Sequence, residues 1–224
     1  MKVIGLAGPS GVGKSTIAAL YFRPLGYFDV ALADAIKIRA VATGVASFEE
    51  VFTSAKSPRV RTWLQEEGTD RGRKAFGDDV WVRSLFTNLR RMESEWGLDQ
   101  FVITDVRFRN EIEYIHNAGG LVLRVEAPSR QSNNQLTHTQ RLHTSEHGLD
   151  ECGAADFDGV LLNDPTYTDT LAWQVHAHLY MAQMTKLSRR RGISAQAFPS
   201  SAGLSTAQKC QILRRMFPHY DWYD

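Results

Sequence analysis

Short apolar runs alternate with longer stretches of helical spacing along most of the chain. Residues 2–7 form an apolar run that stops at a glycine-rich turn, the pattern of a buried parallel strand. From Lys14 onward, Ile17, Ala18, Leu20 and Tyr21 recur at helical spacing and stop before Pro24. Residues 27–32 predict a second short strand, with Asp34 just past its end, and 35–42 predict a helix. Ser57-Pro58 opens a longer helix through Trp63 and Leu64, with the proline at a tolerated first-turn position. Trp81, Leu85, Leu89 and Met92 form one apolar stripe, so that segment is read as an amphipathic helix. Residues 100–104 predict a strand ending in Asp105, and 111–118 a helix stopped by Gly119-Gly120. Strands follow at 121–125 and 160–162, then Asn163-Asp164-Pro165, then a helix over 166–184 with Leu171, Val175 and Leu179 on one side.

Strands alternating with helices predict an α/β fold whose parallel sheet is covered on both faces. Ligands of such sheets collect at the C-terminal strand ends, where residues 8–15, Asp34, Asp105 and Asn163 all fall. Two segments break the pattern. Residues 129–148 are polar and lack periodicity, and they carry Arg130, His138, Arg141, His143 and Glu146. A polar insertion of that length reads as a functional lid or a disordered loop. The tail holds Lys186, Arg189, Arg190 and Arg191, then an Ala/Ser/Gly-rich stretch, then a helical pattern over 207–216. The charge run reads as a solvated basic face in preference to a weak nucleic-acid contact.

Composition narrows the function classes. The 224 residues suit one α/β domain with an appendage, or two very small domains. Lys and Arg total 26 against 25 Asp and Glu, so the net charge of +1 gives no global field toward nucleic acid or membrane. No apolar stretch approaches the roughly 18 residues of a membrane span, and the N-terminus enters a strand without a signal-peptide pattern. Cys152 and Cys210 lack any CxxC or Cys/His spacing and read as reduced thiols of a cytoplasmic protein. The electrostatics that matter are therefore local.

The strongest local chemistry is Gly8-Pro9-Ser10-Gly11-Val12-Gly13-Lys14-Ser15, followed by Thr16. Its glycines let successive backbone N–H groups turn inward around a phosphate, and the helix that follows adds its positive end. In this P-loop, Lys14 is expected to reach the β- and γ-phosphates of ATP, and Ser15 to ligate Mg²⁺. The strand ending in Asp105 is expected to present an acid to that metal or to its water shell. Lys37, Arg61, Gln65, Thr69 and Arg73 form a further cluster, with Arg61, Gln65 and the neighbourhood of Gly68 on successive helical turns. Guanidinium groups hold phosphate bidentately, which favours an acceptor site, although the same face with Glu66 and Glu67 also reads as solvated. Trp63 and Trp81 fit either core positions or base stacking.

Several longer motifs carry a resemblance. They are Ala33-Asp34-Ala35-Ile36-Lys37, the run from Leu64 through Arg73, Trp81, Thr104-Asp105-Val106-Arg107-Phe108-Arg109-Asn110-Glu111, and His143-Thr144-Ser145-Glu146-His147. Together they resemble the bacteriophage-type deoxynucleoside monophosphate kinases, over roughly residues 2–184. The resemblance implies a five-stranded P-loop kinase fold over 1–184, with a helical monophosphate-binding region over about 34–95, a lid over about 129–148, and a C-terminal basic extension over 185–224. It implies transfer of the γ-phosphoryl group of ATP to a deoxynucleoside 5′-monophosphate in the cytoplasm, the host's if the chain is phage-encoded. Small-molecule nucleotides are then the partners, nucleic acid is not expected, and a homodimer stays open.

Carried over residue by residue, Gly8, Ser10, Gly11, Val12, Gly13, Lys14, Ser15 and Thr16 bind ATP, with Asn163 beside its adenine. Asp34, Lys37, Arg61, Gln65, Thr69, Arg73, Trp81 and Glu111 shape the acceptor site. Arg107 holds a phosphate near the transfer path with Asp105 at the metal, and Arg130 and Arg141 are lid arginines. His143 and Glu146 match the family motif on the acceptor side, with no role derivable from the residues. A nucleoside monophosphate, with a second phosphate pKa of about 6, is already a dianionic nucleophile and needs positioning rather than a strong base. The nearest alternative, a dephospho-coenzyme A kinase acting on a hydroxyl, needs a base, for which Asp34 would serve. A GTP switch needs an Asn-Lys-x-Asp element, which Asn163-Asp164-Pro165-Thr166 is not.

Overall fold

The computed structural model describes residues 1–53, 56–131 and 147–190. Five parallel strands form one sheet in the order β2-β3-β1-β4-β5. They are β1 (Lys2–Ala7), β2 (Phe28–Val30), β3 (Gln100–Val106), β4 (Leu121–Glu126) and β5 (Gly159–Leu162). The helices are α1 (Lys14–Ile17), α2 (Asp34–Ala42), α3 (Phe48–Phe52), α4 (Pro58–Glu66), α5 (Gly72–Phe76), α6 (Val80–Trp96), α7 (Arg109–Asn117), α8 (Pro128–Gln131) and α9 (Leu171–Arg190).

Alternation along the strands splits the core in two. Val3, Phe101, Ile103 and Val122 face α6 and α7, where they meet Val82, Phe86, Leu89, Ile112 and Ile115. Ile4, Leu6, Val102, Leu123 and Leu161 face the opposite way, against Ile17, Phe22, Leu171 and Val175. Burial on both sides is why these strands are nearly continuous apolar runs. A third, small cluster of Ala40, Val51 and Val60 joins α2, α3 and α4, and Trp63 and Leu64 pack against it. Trp63 thus takes the core reading.

The departures from the predicted elements have local causes. β2 ends at Val30 because the N–H groups of Ala31, Leu32 and Ala33 bond to carboxylates rather than to a neighbouring strand. β3 runs through Val106, so Asp105 sits inside the strand and not beyond it. α1 loosens into a π-type turn (Ala18–Phe22) and a 3₁₀ turn (Arg23–Leu25) that absorbs Pro24. The buried stripe of α6 is Val82, Leu85, Phe86 and Leu89, while Trp81 and Met92 are half-buried. α3, which has no counterpart among the predicted helices, starts where the Ser47 hydroxyl accepts from Glu50 N. α9 begins at Leu171, after a 3₁₀ turn (Pro165–Thr170), and continues past Met184. Cys152 is buried and free of any disulfide. No helix among the described residues is long and apolar enough to cross a membrane.

Candidate active site

The phosphate loop follows from three glycines. Gly8, Gly11 and Gly13 adopt φ of 137°, 84° and 90°, a region that side chains rarely enter. At Gly8 space forbids a side chain as well, since a Cβ would lie 2.5 Å from the Val125 carbonyl oxygen. The loop closes on α1 through Ile17 N donating to Gly13 O, which aims the helix start at the loop's centre. The Lys14 ammonium is buried and donates to Gly8 O at 2.6 Å and Pro9 O at 2.7 Å. Ser15 and Thr16 stand exposed on the first turn of α1, and Ser10 is half-buried in the loop. Asn163, just past β5, donates its side-chain amide to Val12 O at 2.8 Å, so it fastens the loop from the far strand.

Beside this loop, β3 organises the β2–α2 connection. The Asp105 carboxylate accepts from Leu32 N at 2.7 Å and from Ala33 N at 3.0 Å, using one oxygen for each. Burial pushes its carboxyl up from the ordinary value, against those two bonds. Asp34 accepts from Ala31 N at 2.8 Å and pairs with Lys37 at 2.7 Å. The Lys37 ammonium also lies 5.2 Å from the centre of the Phe52 ring. Lys56, absent from the sequence-derived candidates, donates to Thr53 O at 2.7 Å. Burial pushes its ammonium down, as do the charges of Lys37 and Arg61, while Asp34 opposes them. Lys56 lies outside any periodic segment, just before the Ser57 cap of α4, so periodicity carried no signal for it.

Farther along the sheet edge, Arg73 and Glu111 form a buried ion pair at 2.5 Å. The Arg73 guanidinium also donates to Asp78 O at 2.7 Å and lies 3.9 Å from the centre of the Phe108 ring. The second Glu111 oxygen accepts from Arg107 N at 2.7 Å and Phe108 N at 3.1 Å, which sets the turn leaving β3. Burial pushes the Glu111 carboxyl up to about 7, although Arg73 and both backbone N–H groups favour the carboxylate. A cavity of about 540 Å³ opens here, with Thr69, Arg73, Asp78, Phe108, Asn110 and Gly148 among its lining residues.

Between α4 and α5 the chain makes a π-type turn (Glu67–Arg71) that widens the step from Gln65 to Thr69. Trp81 braces this turn, donating its indole N–H to Gly68 O at 2.7 Å. Its ring lies so close to Gly72 that a Cβ there would sit 2.2 Å from Cζ2. Glu67 departs from the solvated-face reading: it is 1% exposed and pairs with Arg39 at 2.9 Å and Arg71 at 3.5 Å, whereas Glu66 is exposed. Arg61, Gln65, Thr69 and Arg107 are half-buried. Arg130 belongs to α8, while Arg141, His143 and Glu146 lie outside the described residues, as do most of residues 129–148, for which a lid is expected, and the chain beyond Arg190. The described residues contain no group of three or more His, Cys, Asp or Glu that could hold a metal ion.

Comparison with known proteins places this geometry in a family. The sequence model of the deoxynucleotide monophosphate kinases matches residues 38–172, more than half of the 224-residue chain. A protein of Acanthamoeba polyphaga mimivirus, provisionally named a deoxynucleotide monophosphate kinase, is 28% identical over 187 residues, which is 74% of this chain and 90% of the relative. Among solved structures, a dephospho-CoA kinase from Campylobacter jejuni aligns with a TM-score of 0.43 at 14% identity, over 86% of this chain and 99% of its own. A Chloroflexus aurantiacus protein described provisionally as a kinase aligns with a TM-score of 0.39 at 15% identity, over 85% and 97%. The extent of the family match decides the matter: this chain belongs to the deoxynucleotide monophosphate kinase family.

Proposed function

We propose that this nucleotide kinase transfers the γ-phosphoryl group of ATP to a deoxynucleoside 5′-monophosphate, giving the diphosphate and ADP. The observation that carries the reading is one sheet edge bearing both a glycine-formed phosphate loop and, across Asp105, a cluster of cations around Asp34. The family match begins at residue 38, past the phosphate loop, so the ATP half and the acceptor half of the proposal have separate support.

In this reading, the loop's backbone N–H groups and the start of α1 bind the ATP phosphates. Lys14 exchanges its bonds to Gly8 O and Pro9 O for phosphate oxygens and neutralises charge during transfer. Asp34 already engages Ala31 N and Lys37, which suits a positioning carboxylate better than a general base. Lys37 and Arg61 supply the positive charge for the acceptor phosphate. Arg107, whose N–H is fixed by Glu111, leaves β3 toward the same edge and is assigned to the transferring phosphoryl group. The cavity bounded by Thr69, Arg73 and Phe108 is assigned to the acceptor nucleoside.

The donor set fits Mg²⁺ only as an ion carried largely by nucleotide phosphates and water, with the exposed Ser15 hydroxyl as direct ligand and Asp105 through water. Bound there, it would neutralise charge on the phosphates.

The test is to incubate the protein with Mg-ATP and each of the four deoxynucleoside monophosphates, following ADP and diphosphate by chromatography. Equal amounts of the two products are expected with at least one acceptor. No ADP above background with any of them sinks the proposal.

A further inference from the structure

The acceptor side holds more positive charge than its two carboxylates, Asp34 and Asp105, can balance. Lys37 projects from α2 and Arg61 from α4, and Lys56 sits on the connection that joins α3 to α4. Short contacts tie two of them: Lys37 pairs with Asp34 at 2.7 Å and lies over Phe52, and the next residue, Thr53, receives Lys56 at 2.7 Å. Arg61 lies near enough for its charge to act on Lys56. Asp34 acts on Lys56 against the repulsion of Lys37 and Arg61, and Asp105 acts on Lys37. Three cations against the carboxylates of Asp34 and Asp105 leave a local excess of about one positive charge, which favours an anionic ligand such as a phosphate monoester.

We propose that Lys56 is a phosphate-positioning residue of the acceptor site, completing with Lys37 and Arg61 a cationic cradle for the 5′-phosphate of the monophosphate. The inference rests on the acceptor reading above and adds a residue that neither the sequence motifs nor the family resemblance had singled out. Lys56 holds a backbone carbonyl, as Lys14 does in the phosphate loop, and a carbonyl bond is readily exchanged for one to a charged phosphate oxygen. Lys56 is half-buried as a residue, so such a bond is screened less than one at a fully open surface. A purely structural role is also defined by the geometry, because Thr53 caps the end of α3 and Lys56 would simply hold that cap.

Steady-state kinetics of Lys56→Gln and Lys56→Arg with dTMP, alongside binding of dTMP and of thymidine by calorimetry, separate the two roles. Lys56→Gln is expected to raise KM and Kd for dTMP about tenfold, the value of one charged hydrogen bond. KM for ATP and binding of thymidine should stay within about twofold, and Lys56→Arg should recover most of the loss. A lower Tm with unchanged KM for dTMP would establish the cap role and overturn the proposal, as would equal weakening of thymidine. Lysine acetylation of the wild-type protein, read by peptide mass spectrometry, needs no variant: dTMP should protect Lys56 and thymidine should not. Protection of Lys37 without protection of Lys56 overturns the proposal for Lys56 and leaves the acceptor reading intact. If the wild-type protein binds none of the four monophosphates, the acceptor reading itself falls, and this proposal with it.

Discussion

The two halves of the site are built on opposite principles. The phosphate loop spans eight consecutive residues, its shape set by backbone angles that glycine permits at positions 8, 11 and 13. The half proposed to take the acceptor is assembled from side chains that meet only after folding. Asp105 reaches back 73 residues to Leu32, Arg73 pairs with Glu111 across 38, and Trp81 braces Gly68 across 13. In the proposed reading, backbone donors fixed by local sequence recognise a feature shared by every nucleoside triphosphate. Side chains gathered over long range can be exchanged one at a time, which is what selection among acceptors requires.

The largest effect should come from the local half. In the proposed reaction Lys14 neutralises charge on the transferring group, so Lys14→Ala should lower turnover with Mg-ATP about a thousandfold or more while the fold survives. The measurement is kcat beside circular dichroism, and a near-normal kcat in a folded variant would mean that the phosphate loop is not where transfer occurs.

The assembled half should fail through stability first. Glu111→Ala strands the Arg73 guanidinium, itself 8% exposed, together with the N–H groups of Arg107 and Phe108. Breaking a buried pair on one side costs about 3–5 kcal/mol, so the denaturant midpoint should drop sharply and acceptor binding with it. A variant as stable as the wild type would show that the pair does not hold the β3 turn. Glu111→Gln gives a finer measure. The folded carboxyl sits at about 7, above the usual 4.5, so the native state binds more protons than the unfolded chain between those values. Wild-type stability relative to Glu111→Gln should therefore fall as pH rises from 4.5 to 7, by on the order of 3 kcal/mol, and level off above. A difference that stays flat across this window would mean that Glu111 remains ionised throughout it.

The same contrast explains what was legible in the sequence. The residue pattern places all five strands within two residues of their observed ends, because runs such as Phe101, Val102 and Ile103 are buried on both faces. β2 shrank to three residues because its last N–H groups bond to Asp34 and Asp105, a competition that no residue pattern displays. The glycine-formed turn over residues 8–15 was legible as a turn between strand and helix, since its signal lies in contiguous spacing. In the acceptor half the residue types were visible but their pairings were not. Glu67 looked like a solvated neighbour of Glu66 until the π-type turn rotated it inward between Arg39 and Arg71. Trp81 looked like part of the apolar stripe of α6, yet the structure turns it toward Gly68 and Gly72. Lys56 carried no pattern at all, and only the packing of α2, α3 and α4 brings it to the cations.

One contact crosses the divide and supplies the smallest and most discriminating prediction. Asn163 joins the end of β5 to Val12 O across 151 residues, so the phosphate loop is not wholly self-contained. Val12 is 1% exposed, and Asn163→Ala leaves its carbonyl without this partner where water has little access. That loss costs about 1–2 kcal/mol, visible as a small fall in Tm. Because Gly8, Gly11 and Gly13 still dictate the loop's path, KM for ATP should rise only severalfold, and KM for the monophosphate should not move. A large rise in KM for ATP would mean that the loop depends on its distant fastener as much as the acceptor half depends on Arg73 and Glu111. An equal shift for both substrates would mean that β5 couples the two halves, and the division between them would then be one of sequence only, without an energetic counterpart.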